Sequence, residues 1–115
     1  MPMLIVMTPR GETTLIPVTE PETTIGRAEH NHVVLASQRV SRFHAALTTD
    51  GPMVTLRDLG SRNGTFVNGK RIEAQVLANG DNIDIAGYWI RFLAVHHESV
   101  TADALQQMRD RGPLV

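Results

Sequence analysis

The chain has 115 residues, no cysteine and a formal net charge of -1 at pH 7. This length suits one domain that closes its own core, and the absence of cysteine excludes disulfide frameworks, thiolate zinc sites and a cysteine nucleophile. A chain so close to neutral lacks the overall basic excess that general nucleic-acid binders usually carry.

The first half of the chain reads as short strands separated by turns. Residues 8–11, with the sequence Thr-Pro-Arg-Gly, separate the first two apolar runs and predict a turn. Val54 and Leu56 alternate with polar neighbours, which is the period of a half-buried strand. The strands predicted in this half are 3–7, 13–18, 23–25, 33–35, 45–49 and 53–58.

The second half continues the same pattern up to residue 95. Asn68-Gly69 predicts a tight hairpin, because both central residues of the favoured turn need positive φ angles. Ile83 and Ile85 should point inward, with acidic residues outward. The strands predicted here are 65–67, 71–72, 81–85 and 88–95. Short strands with regular turn signals indicate an all-β fold, a two-sheet antiparallel β-sandwich of about 10 to 11 strands.

The last residues differ in composition from the rest. Residues 102–111 consist mainly of helix formers, with Leu105 and Met108 spaced i, i+3, and Gly112-Pro113 would end a helix there. A helix this short is marginal in isolation. We therefore expect a domain over residues 1–96 and a tail or linker over 97–115, with a short helix at 102–111.

No targeting or membrane segment is expected. The apolar run at Met3–Met7 is only five residues long and has no basic segment before it, and no later run approaches the 18 residues needed to span a bilayer. The cytoplasm is the expected location.

Most of the chemistry lies between Ser41 and Gly69, in two loops that carry two hydroxyls, two guanidiniums and two amides. These groups all donate hydrogen bonds, and arginine matches phosphate with two parallel bonds, so they suit an anion with several oxygens. None of them is a good general base, which argues against an enzyme. The six residues are Ser41, Arg42, Ser61, Arg62, Asn63 and Asn68.

Four sequence motifs occur in one order. They are Gly26-Arg27, Ser41-Arg42-x-His44-Ala45, Asp58-Leu59-x-Ser61-x-Asn63-Gly64-Thr65-x-x-Asn68-Gly69 and Gly80-Asp81-x-Ile83. Together they resemble the forkhead-associated (FHA) domain over residues 3 to 95. The resemblance implies an eleven-stranded sandwich of the FHA/SMAD type that binds phosphothreonine peptides through its apical loops, without a cofactor and without enzymatic activity.

The resemblance also implies roles for individual residues. The phosphate would be bound by Arg27, by the hydroxyl and backbone amide of Ser41 and by Arg42. Ser61 and Arg62 share a second loop, from which Arg62 would reach the phosphate or a flanking position, and Asn63 would hold the peptide backbone. The binding loops would be supported by Gly26, His44 and Asn68, with Asn68 stabilising its own loop.

The expected partner is a phosphothreonine-containing protein or peptide, in another chain or in an intramolecular segment, with a Ser/Thr kinase upstream and no role for nucleic acid or membrane. The expected function is therefore phosphothreonine-dependent protein interaction in kinase signalling or in the regulation of a larger assembly. The alternative is phosphate-independent protein interaction or self-association through a face of the sandwich.

Two other kinds of site are disfavoured. No spacing among His30, His32, His96, His97 and nearby acids matches a known metal-ligand set. Ser41, His44 and Asp58 have the composition of a catalytic triad. However, Ser41 and His44 are too close along the chain for the usual geometry, and no nucleophile elbow accompanies them.

Overall fold

The computed structural model describes residues 2–94, which form eleven β-strands and no helix. The strands are β1 (Met3–Met7), β2 (Thr13–Pro17), β3 (Glu22–Gly26), β4 (Val33–Val34), β5 (Ala45–Asp50), β6 (Met53–Asp58), β7 (Thr65–Val67), β8 (Lys70–Ile72), β9 (Ala74–Val76), β10 (Asn82–Ile85) and β11 (Tyr88–Leu93). In this part of the chain no helix has the length and apolar character needed to cross a bilayer. The predicted helix at 102–111 and the predicted tail lie outside the described residues.

The strands form two sheets. One has the order β2-β1-β11-β10-β7-β8 and the other β4-β3-β5-β6-β9. Neighbouring strands run antiparallel, except β3 and β4, which are parallel. The all-β, two-sheet prediction is confirmed. The sequence did not predict β9, because its three residues are all exposed and show no alternation.

The core fills the space between the two sheets. Along β1 and β11, alternate side chains such as Leu4, Val6, Ile90 and Phe92 enter it, as period two requires. Burying one such side chain stabilises the fold by roughly 1.5 to 3 kcal/mol. The inward orientation predicted for Ile83 and Ile85 is confirmed, since both are fully buried.

The predicted hairpin joins β7 and β8. Asn68 has a φ of 51° and Gly69 a φ of 84°, which is the left-handed region that a primed turn requires. The Asn68 side chain accepts a hydrogen bond from the Asn82 amide and donates one to Asp81 Oδ1, both over 3.0 Å. Asn68 therefore fixes the hairpin against the start of β10.

Three loops meet at one end of the sandwich, which we call the apical end. The register pairs Ile25 with Ala45 and Ala45 with Asp58, so the end of β3, the start of β5 and the end of β6 lie side by side. The loops that join these strand ends are 27–32, 35–44 and 59–64. Most of the predicted site residues lie on these loops.

Candidate anion-binding site

A shallow cavity of about 200 Å³ opens at the apical end. Four of the side chains that line it are arginines, and none is Asp or Glu. A cluster of guanidiniums without a carboxylate attracts an anion, because the positive charges reinforce one another and no opposite charge in the described lining offsets them. The lining residues are Arg27, Gln38, Arg39, Val40, Ser41, Arg42 and Arg62.

Arg27 is held at the cavity by two hydrogen bonds to the neighbouring loop. Its backbone N–H donates to the Ser41 carbonyl over 3.0 Å, and its side-chain Nε donates to the Val40 carbonyl over 3.0 Å. Nε is one of five donors on a guanidinium. The bond to Val40 therefore orients the group and leaves the Nη hydrogens to meet a ligand.

Gly26 allows the loops to come this close. A Cβ at this position would lie 2.2 Å from the Arg42 carbonyl oxygen and 2.9 Å from Asn31 Nδ2. Asn31 is buried and donates through Nδ2 to the carbonyls of Ala28, over 2.7 Å, and Arg42, over 2.8 Å. Asn31 was not predicted as part of the site, because its only sequence signal is its place in a short polar loop.

His44 fixes the middle apical loop from inside the protein. The side chain is 0% exposed, and Nε2 lies 2.8 Å from the Gly64 carbonyl oxygen. Because a carbonyl can only accept, Nε2 carries the proton, and Nδ1 then accepts the backbone N–H of Ser41 over 3.1 Å. This neutral tautomer links loop 35–44 to loop 59–64.

The backbone amide of Ser41 bonds within the loops, whereas its hydroxyl lies at the cavity. Its backbone amide is bound by His44, so the structure does not present that amide to a ligand as the family resemblance implies. Its hydroxyl oxygen accepts the Arg62 backbone N–H over 3.0 Å. The hydroxyl hydrogen then points away from that bond and remains a donor at the cavity.

Asp58 organises the loop that carries Arg62. Its Oδ2 accepts the amides of Gly60 and Ser61, each over 3.0 Å, and its Oδ1 accepts the hydroxyls of Ser61 and Thr65. Burial alone would raise the pKa of Asp58. The hydrogen bonds from Ser61 and Thr65 outweigh burial and lower the pKa below its usual 3.8.

The Ser61 hydroxyl is used within the same network. It donates to Asp58 and accepts the Gly64 backbone N–H over 3.0 Å, and the residue is buried. Ser61 is therefore placed behind the loop, whereas its neighbour Arg62 is exposed and lines the cavity.

Asn63 connects two apical loops. Its Nδ2 donates to the Arg39 carbonyl over 2.6 Å. Arg39 itself lines the cavity, although it was not predicted as a site residue. The sequence does carry a signal for Arg39, because three arginines and only one acidic residue lie between Gly26 and Thr49.

A larger groove, of about 620 Å³, begins beside the cavity. Arg39 lines both spaces, and Asn63 stands at the start of the groove. Its floor is formed by the outer side of the six-stranded sheet, including the side chains of Phe66 and Trp89. An extended peptide anchored in the cavity therefore has room to continue along this sheet.

Asn68 is placed away from the other predicted site residues. Asn68 lies at the far end of β7 from Thr65, so the structure does not bring it to the apical loops. Within residues 2–94, no group of three His, Cys, Asp or Glu is placed to hold a metal ion, and His96 and His97 lie beyond those residues.

Comparisons with known proteins agree with this arrangement. The FHA domain family profile matches residues 23–86, more than half of the chain. The glycogen accumulation regulator GarA of Mycolicibacterium smegmatis is 38% identical over 74 residues, which are 64% of this chain and 47% of that protein. The chain thus spans about half the length of this relative.

Solved structures are similar over most of the described residues. The FhaA FHA domain complexed with the intracellular domain of Rv3910 is 32% identical, with a TM-score of 0.72 over 80% of this chain and 99% of that chain. A structure from a study of phosphothreonine-dependent FHA domain interactions is 29% identical, with a TM-score of 0.73 over 83% of this chain and 98% of that chain. The chain belongs to the forkhead-associated (FHA) domain family.

Proposed function

We propose that this domain binds phosphothreonine-containing peptides at the apical cavity. The observation that carries the proposal is the convergence of four guanidiniums and the Ser41 hydroxyl on one cavity without a carboxylate. A phosphothreonine brings about -1.5 to -2 charges at pH 7 and three strong acceptor oxygens. The cavity offers the complementary donors and charge.

The donors contribute different interactions to phosphate recognition. Arg27 and Arg42 come from different loops and supply charge-assisted hydrogen bonds, which are roughly twice as strong as neutral ones. The Ser41 hydroxyl supplies a neutral donor that sets the orientation of the phosphate. Arg62 reaches the phosphate or the position beside it.

Asn63 holds the peptide backbone beyond the phosphate. Its Nδ2 already has one bond to Arg39, which fixes the direction of the amide, and its Oδ1 can accept a peptide N–H. This contact reads an extended backbone whatever its side chains are, so the same loop accepts different sequences after the phosphothreonine.

The partner is a protein phosphorylated by a Ser/Thr kinase, and the domain acts in the cytoplasm without catalysis of its own. In this site His44 Nδ1 meets the Ser41 amide and not its hydroxyl, so nothing activates that serine as a nucleophile. The alternative, phosphate-independent association, gives no role to a cavity whose described lining has four arginines and no carboxylate.

Calorimetry with four versions of one peptide tests the proposal. The versions carry phosphothreonine, phosphoserine, threonine or glutamate at one position. We expect binding of the phosphothreonine version, weaker binding of the phosphoserine version because one buried methyl is worth roughly 1 kcal/mol, and no measurable binding of the other two. Equal affinity for the phosphorylated and unphosphorylated peptides would refute phosphate recognition and favour the alternative.

A further inference from the structure

The six-stranded sheet carries a second buried apolar cluster, on the side away from the core. Its members alternate with core residues along β1 and β11, so they occupy the outer face of the sheet. We call them the outer patch, which consists of Met3, Ile5, Met7, Trp89 and Leu93.

The burial of the outer patch is the unusual feature. Its side chains are 0 to 4% exposed. On the same face Leu15, the cross-strand neighbour of Ile5 on edge strand β2, is 43% exposed. On the outer face of the other sheet Met53 is 49% exposed. Burial is therefore confined to the two central strands β1 and β11.

Within residues 2–94, one side chain of this face covers part of the patch: the buried Arg91 has its guanidinium 5.7 Å from the centre of the Trp89 ring. The strands themselves supply no second layer on this side. All eleven of them belong to the two sheets, and the five-stranded sheet packs on the opposite, core-facing side. An apolar sheet face needs a covering layer, because packed domains bury such a face against another element.

We propose that residues 95–115 of this chain are that covering layer and that they dock on the outer patch. The chain leaves the sheet at this face: Leu93 ends β11 as a member of the patch, and the Ala94 amide is anchored to Asn79 Oδ1 over 2.9 Å. The sequence continues for another 21 residues, from 95 to 115.

The composition and size of this segment fit the patch. Ala104, Leu105 and Met108 would share one stripe of the helix predicted at 102–111, as the spacing of i, i+1 and i+4 requires. A ten-residue helix is about 15 Å long, and β1 extends about 13 Å from Met3 to Met7. One short helix can therefore cover the patch along its length.

The docked segment would also border the phosphopeptide groove. Trp89 belongs to the outer patch and lines the groove, where its Nε1 donates to Asn82 Oδ1 over 2.9 Å. The same indole would then have the docked segment on one side and the groove on the other.

The single tryptophan of the chain makes docking measurable. In the full chain, the double variant Leu105→Asp/Met108→Asp places two charges on the apolar stripe. The matched control Gln106→Asp/Gln107→Asp adds the same charge at neighbouring positions. We expect the first variant to shift Trp89 fluorescence to longer wavelength and to increase its quenching by acrylamide, with the control close to wild type. Identical spectra for the two variants would overturn the proposal.

A spin label gives a second test that does not rely on weakening the contact. Because the chain has no cysteine, Gln107→Cys accepts one nitroxide at one position. Docking predicts that the label broadens the amide signals of β1 and β11, relative to the reduced label, in a protein whose mass by light scattering is that of one chain. Unbroadened β1 and β11 signals, or a mass of two chains with broadening only between copies, would contradict it.

Discussion

The apical end contains two kinds of polar group that differ in what they bind. One kind forms an inner frame of side chains that bond to one another or to backbone: Asn31, His44, Asp58, Ser61 and Thr65. Among residues 2–94, Asn31 Oδ1 is the one atom of this frame that has no partner. The other kind forms a basic rim of exposed or half-buried guanidiniums: Arg27, Arg39, Arg42 and Arg62.

The difference between frame and rim explains how a loop site can be ready to bind. The frame satisfies the loops' own hydrogen bonds before any ligand arrives, so less conformational entropy is lost on binding. The rim charges are then left for the ligand. Ser41 joins the two, since its amide belongs to the frame and its hydroxyl reaches the cavity.

The largest expected effect is on binding and comes from the rim. Arg27→Ala should lower phosphopeptide affinity by on the order of 2 to 5 kcal/mol, the range for removing one partner of a close charge pair. Calorimetry measures it, with thermal unfolding as a check that the fold is intact. Lys70→Ala removes one cation at the far end of β7 and β8 and should leave the affinity unchanged. Equal losses in the two variants would mean that general charge, not the cavity, drives binding.

The next effect is on stability and comes from the frame. His44→Ala removes a fully buried ring and leaves the Ser41 amide and Gly64 carbonyl without their partner. We expect a loss of about 2 to 4 kcal/mol in the free energy of unfolding, measured by urea denaturation. His32→Ala, at an exposed position where the ring bonds to Thr24 and water can replace it, should change it by less than about 1 kcal/mol. A His44 variant as stable as the His32 variant would show that the frame does not stabilise the loops.

The rim also predicts a pH dependence of affinity. The second pKa of a phosphate monoester is about 6, so the dianionic fraction falls roughly fourfold between pH 7.5 and 5.5. Affinity should fall by about the same factor if the dianion is the bound form. A difluoromethylene phosphonate analogue, which ionises at lower pH, should change less. A flat profile for the phosphate peptide would mean that the monoanion binds as well.

Much of the fold could be predicted from the sequence because its signals are local. Alternation along 53–58 and the Asn68-Gly69 turn each depend on neighbouring residues, and both predictions are confirmed. Strand β9 was missed because an exposed three-residue edge strand is defined by its pairing with β6 and not by its own pattern.

The site was harder to predict than the fold, because the sequence does not show which hydrogen-bond donors are already bonded within the protein. Ser61 and Ser41 look alike as loop serines. In the structure, however, the Ser61 hydroxyl is held by Asp58 and Gly64, while the Ser41 hydroxyl lines the cavity. Arg39 was not predicted as a site residue, since only the fold places it beside Arg27.

The smallest expected effect is the acid sensitivity that Asp58 gives to the frame. The folded-state pKa of this carboxyl lies below 3.8, so its stabilising contribution is complete above that pH and is lost as the pH falls through the folded value. Wild-type stability should therefore decline below pH 4 by more than that of Asp58→Asn, whose amide does not titrate.

Urea denaturation at pH 7, 5 and 3 measures this difference. Asp50→Asn is the matched control, because Asp50 is an exposed turn-side carboxyl at the end of β5, and it should decline with acid as the wild type does. The effect is limited because Asp58 is only partly buried and water screens part of its interactions. If Asp58→Asn and wild type lost stability in parallel from pH 5 to 3, the frame would be held by the geometry of the carboxyl oxygens and not by their charge.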